Sequence, residues 1–197
     1  MTHAHAELRL ATELAFSTCI HEGYSLMRGA IESAVFAFKM FKESSLVTVW
    51  LSRRDNETAQ KEFNKDFREA RKKNPFTGTP GLAKLHKCWV DGSEISAHSN
   101  MDDMARRTQM DSRRDAVNFV VHYFERDQRY VCLATLQILD AIALIEQLLH
   151  NMFEGRLRLH PTLPQDREAF LRSKENFRRR ITQEFGIKAD GSMTNPA

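Results

Sequence analysis

Cysteine is scarce in this chain of 197 residues: Cys19, Cys88 and Cys132 stand far apart and odd in number. That excludes the paired spacing of a zinc site and the even framework of a disulfide scaffold, and a reducing cytoplasm is the expected setting. Gly and Pro are also few, at 8 and 5. With β-branched alternating runs equally rare, an all-β sandwich or barrel is a poor fit. P-loop, Gly-rich dinucleotide and HExxH signatures are absent, so nucleotide hydrolysis on a phosphate loop and zinc proteolysis have no motif to stand on. The first residues, MTHAHAELRLATEL, carry Glu7 and Glu13 and no apolar run of signal-peptide type, so neither secretion nor cleavage is expected. A long uninterrupted apolar run is missing too. From Tyr130 to Phe153 the chain is apolar, but Gln137, Asp140, Glu146 and Gln147 interrupt it. A bilayer span needs roughly 20 apolar residues, and an Asp at its centre costs about 2.5–3.5 kcal/mol. This segment reads as the central helix of a soluble bundle, with no membrane partner.

What is present is helical periodicity and charge. Charged residues make up 28% of the chain and leave a net charge of +3, a balance that permits nucleic-acid contact without requiring it. The expected fold is all-α, a single-domain helical bundle over residues 1–185 built around two long apolar helices, followed by a flexible tail over residues 186–197. One of the two is the Tyr130 segment, reached by a helical pattern that begins beyond Asp115 and has an irregularity near Asp127. The other, YSLMRGAIESAVFAFKMF from Tyr24 to Phe41, is apolar or small on nearly every side. Residues from about Ala4 to Glu22 form an amphipathic helix that either runs into it or kinks at Gly23. The piece SSLVTVWLSRR carries Trp50 inward on a helical turn, and Asn56 opens a surface helix with Ala59, Phe63, Phe67 and Ala70 as its apolar stripe. NPFTGTPG is the clearest loop. Leu82 to Val90 reads as a helix turning at Asp91-Gly92-Ser93, and Ser99 or Asn100 caps a further helix. Pro161 and Pro164 precede a last helix, about Gln165 to Phe185, which offers Phe170, Phe177, Ile181 and Phe185 to the bundle.

Within the Tyr24 helix, Arg28 and Glu32 stand four residues apart on one narrow polar strip. They read either as a structural ion pair or as part of a site. Asp140 lies in the most apolar helix and needs a partner, which Arg28 or a histidine could supply. His98 sits in a polar segment with Glu94, Ser96 and Asn100, a setting that suits binding more than packing. If Arg28, Glu32, His98 and Asp140 converged, they would join acid, base and anion-binding parts in one pocket. No Glu stands three residues before a histidine, as a di-iron bundle requires, so neither a metal nor another cofactor is expected. His86 and Cys88 stand two residues apart and cannot face each other on a helix, which removes a thiol nucleophile with that base. The last helix carries Arg167, Arg172, Lys174, Arg178, Arg179 and Arg180, yet Asp166, Glu168, Glu175 and Glu184 are interleaved with them. A solvated face is the ordinary reading of that mixture and nucleic-acid contact the lesser one.

The order of these pieces, MRGAIE at Met27–Glu32, SEISAHSN at Ser93–Asn100 and a long apolar helix ending near Phe153, resembles that of uncharacterised bacterial all-helical proteins of HEPN-like type. HEPN domains are helical bundles that include RNases of toxin and antiphage systems. The resemblance implies a site drawn from Arg28, Glu32 and His98. The usual HEPN signature, an Arg followed after four to six residues by a His, does not occur at any histidine here. Two functions follow as expectations. One is a non-enzymatic bundle acting by self-association or by binding a protein partner. The other is a HEPN-like ribonuclease or nucleotide-binding protein of a bacterial defence or toxin system.

Overall fold

The alanines of the first helix set the architecture. In α1 (Thr2–Phe16), Ala4, Leu8, Ala11 and Ala15 recur at helical spacing and are all buried. Short side chains on that stripe let α1 lie close along α2 (Ile20–Lys42), whose Tyr24, Met27, Ala30, Ile31, Ala34 and Val35 face inward. The computed structural model describes residues 2–68, 74–76, 79, 81–96, 105, 107–113, 116–122, 124–158 and 160–186. The break between the first two helices falls before Gly23, at Thr18, which adopts a left-handed φ of 61°. A β-branched residue is strained there, and the chain reverses at once because of it.

The short helix α3 (Leu46–Ser52) brings Trp50 onto a small cluster of Phe36, Phe63 and Phe67, under the Arg53 guanidinium at 3.7 Å. In α4 (Glu57–Phe67), Asn56 Oδ1 accepts the Ala59 N–H at 2.9 Å, the cap its sequence anticipates. The other end of α4 is closed from outside: buried Lys39 of α2 donates to the carbonyls of Asp66 and Phe67 at 3.3 and 3.2 Å. Burial lowers the Lys39 pKa, and the negative end of the α4 dipole favours the retained cation.

The next stretch differs from expectation at the Asp91-Gly92-Ser93 turn and in the segment beyond Asp115. Asp91-Gly92-Ser93 is no turn, because α5 (Ala83–Ile95) runs through it. Gly92 is buried against α2: a Cβ there would stand 2.9 Å from Met27 Cε, the mobile end of that side chain, and 3.7 Å from Tyr24. The fold is mostly helical, in keeping with the expected all-α class, and among the described residues it adds one antiparallel hairpin, β1 (Thr108–Arg113) against β2 (Ala116–Val121), with Thr108 opposite Val121 and Arg113 opposite Ala116. AVNFVV lies where the helical pattern beyond Asp115 points to the approach of a helix, and it is extended instead. Its valines and phenylalanine suit an extended pleat better. The expected cap at Ser99 or Asn100 lies outside the described residues, as do Ala70 and positions 187–197 of the tail.

The irregularity expected near Asp127 is a helix start. Asp127 Oδ1 accepts the N–H groups of Arg129 and Tyr130 at 2.9 and 3.2 Å and opens α6 (Gln128–Phe153). Just before it, Glu125 N–H donates to Thr18 O at 2.9 Å, tying the end of the hairpin region to the α1–α2 reversal. Ala134, Ile138, Ala141, Ile145, Leu148 and Met152 form the buried stripe of α6 against α1, α2 and α5. By length and composition this helix could cross a membrane, and 33% of that window is buried inside the protein. Pro164 sits in the first turn of α7 (Leu163–Phe185), where its missing N–H costs nothing. Ile181 is the buried residue of α7, while Phe170, Phe177 and Phe185 stay half-exposed.

Candidate functional site

Glu32 lies where α2, α4 and α5 meet. Its Oε2 accepts from Arg68 Nη2 at 2.9 Å, just past the end of α4, and its Oε1 accepts from Trp89 Nε1 of α5 at 3.1 Å. Arg28 approaches the same carboxylate only to 4.0 Å and is 41% exposed, against 20% for Glu32. The i,i+4 pair seen in the sequence is therefore the outer edge of a larger network. Its main members are Arg68 and Trp89, which stand 36 and 57 residues away in the chain. Sequence spacing carries no signal for partners so distant. Arg68 also lies over the Phe36 ring at 5.5 Å, so the network joins the small aromatic cluster to the main core.

A second carboxylate leans on the same face of α2. Glu7 of α1 covers Gly29, where a Cβ would stand 2.6 Å from Glu7 Oε1. His3 Nε2 lies 3.3 Å from that oxygen, while the buried Glu7 Oε2 has no hydrogen-bond partner among the described residues. Desolvation raises the Glu7 pKa, with a further push from Glu32, and His3 opposes both. A carboxyl whose folded pKa is raised contributes stability that is fully present below its unfolded value, about 4.3, and is lost as pH rises through the folded value. Glu7→Gln is accordingly expected to melt above wild type at pH 7, with the gap closing near pH 4. Thermal scans at the two pH values test this, and an equal gap at both would mean that charge burial is not its cause.

Asp140 is half-buried, at 33%, and its partners are cations as expected, though neither Arg28 nor a histidine. Lys174 Nζ donates to Oδ1 at 2.5 Å and Arg178 Nη2 donates to both oxygens at 3.1 Å. These residues of α7 were visible in the sequence only as part of a basic run. Glu94 lies in the last turn of α5 and is exposed. His98 and Asn100 lie outside the described residues. Arg28 and Glu32 lie together, while Asp140 is held by a different set of partners on α7. Among the described residues no cluster of three or more His, Cys, Asp or Glu side chains is arranged to hold a metal. Burial, with help from Asp140 and Asp91, pushes the Cys88 thiol up to about 11, so it stays protonated near neutrality. The described geometry offers hydrogen-bonded ion pairs and no activated nucleophile. Compared with protein-family models, with curated proteins and with solved structures, the chain matches none.

Proposed function

We propose that this protein is a single-domain bundle, organised by α2 and α6, that acts by association, with a second copy of itself as the first partner to test. The observation that carries the reading is an apolar groove of about 250 Å³ between the end of α1, α6 and α7, lined by Phe16, Leu139, Phe170 and Phe177. Phe16 is 67% exposed at its mouth. Aromatic side chains bring large contact area at little entropic cost and are enriched in interface cores. The loose seating of α7, with Ile181 as its buried residue, leaves the outer side of α6 half-open beside the groove. The polar network around Glu32 serves helix register in this reading, the best attested role for half-buried ion pairs. A reducing cytoplasm belongs to the same proposal, since Cys19, Cys88 and Cys132 are all free thiols. The ribonuclease alternative has only the 4.0 Å approach of Arg28 to Glu32 in its favour.

Sedimentation equilibrium tests the proposal. Over tens of micromolar, roughly the range of weak dimers, the mass should climb from 22.8 kDa toward twice that value. Phe16→Asp should hold it at the monomer, and the exposure of Phe16 makes that change harmless to the fold. A wild-type monomer throughout, or a dimer indifferent to Phe16→Asp, would overturn the groove as the contact.

A further inference from the structure

A cleft of about 460 Å³ lies between α5, α6 and α7, and Lys174 lines both it and the phenylalanine groove. Its rim carries Lys84, Lys87, Arg167, Lys174 and Arg178, and Asp140 is the carboxylate among its lining residues. Two of the cations are neutralised locally: Lys87 donates to Asp91 at 2.8 Å, and Arg167 lies 3.8 Å from Glu146. Glu175 lies 3.9 Å from Arg178 but is shared with Arg179, nearer at 3.4 Å. Lys84 is exposed and has no ionic partner among the described residues. That leaves Lys84, Lys174 and Arg178 facing the single charge of Asp140, an excess of two positive charges. An ammonium and a guanidinium crowded on one carboxylate gain from a second anion, more so in a half-dry cleft than in open water.

The rest of the cleft is uncharged. Cys88, Ala143 and Leu144 line it, the thiol in its neutral form, and Gln147 adds an amide. The volume falls within the range of about 300–1,000 Å³ usual for small-ligand pockets. We infer that this cleft binds an organic phosphate monoester, with its dianion between Lys84, Lys174 and Arg178 and its uncharged body over Ala143 and Leu144. A dianion matches the excess charge, and an ester supplies the apolar part that inorganic phosphate lacks. Both a free nucleotide and the 5′-phosphate end of an oligonucleotide have this chemistry.

Titration calorimetry on the full chain at low salt tests the inference, with AMP, adenosine and inorganic phosphate as probes. AMP should bind, adenosine should not, and inorganic phosphate should bind more weakly than AMP. Lys84→Glu should weaken AMP by about tenfold. Asp140→Asn should tighten it, because the competing carboxylate is gone; a purely structural Asp140 would give the reverse or no change. A 5′-phosphorylated hexanucleotide binding better than AMP identifies a chain end as the ligand, and the opposite order identifies a free nucleotide. The inference is overturned by no AMP binding up to about 5 mM or by equal affinity for AMP and adenosine. An AMP affinity that neither Lys84→Glu nor Asp140→Asn alters would overturn it as well.

Discussion

Ile138→Ala is expected to cost about 3–4 kcal/mol, the middle of the range for truncating a fully buried aliphatic side chain. Ile138 is 0% exposed, and its Cδ1 lies 3.4 Å from where a Cβ on Gly23 would stand, so it fills space between α6 and α2. For a chain of this size the melting temperature should fall by roughly 6–16 °C. Thermal unfolding followed by circular dichroism measures it. A drop below about 3 °C would mean that the interface relaxes freely and that α6 is not fixed where it lies.

Glu32→Ala should cost about 2 kcal/mol and lower the melting temperature by roughly 4–8 °C. Its removal strips two donors of their acceptor, Arg68 Nη2 and Trp89 Nε1, both in half-buried positions. The figure sits below the 3–5 kcal/mol of a fully buried pair because the Arg68 side chain is 29% exposed and water can reach it. Glu57→Ala is the control: its carboxylate pairs with Lys61 at 2.8 Å but is 83% exposed, and its melt should coincide with wild type. Equal melting temperatures for all three proteins would remove the structural role of Glu32 and make Arg28 and Glu32 the first residues to assay for activity.

Local rules were readable in the sequence, and distant ones were not. The helical stripes of Ala59, Phe63 and Phe67 and of Ile138, Ala141 and Ile145 appear in the chain as spacing, because a helix repeats within a few residues. Asn56 is recognisable for the same reason, since a cap bonds to N–H groups two or three residues on, whereas Asp127 reads only as an irregularity within a longer helical pattern. The hairpin was missed because its strands are short and no Asn-Gly or Asp-Gly pair stands between Thr108 and Val121 to signal a tight reversal. Asp91-Gly92 misled in the opposite sense. It has turn composition, but the glycine is buried against α2, a contact no local pattern encodes. The candidate site followed the same division: the need of Glu32 and Asp140 for partners was evident from their apolar helices, whereas Arg68, Trp89, Lys174 and Arg178 became evident only with tertiary structure.

The two tryptophans of the chain fall one to each packing cluster. Trp50 lies against Phe36, Phe63 and Phe67 with the Arg53 guanidinium over its ring, and Trp89 packs on the main core with its indole N–H bound to Glu32. The molecule thus carries a separate built-in fluorophore for each of its two clusters, in different electrostatic surroundings. Trp50→Phe and Trp89→Phe proteins would each report the emission of one cluster alone, so a single denaturant titration of the pair reveals whether the aromatic annex around α4 unfolds together with the main core or ahead of it.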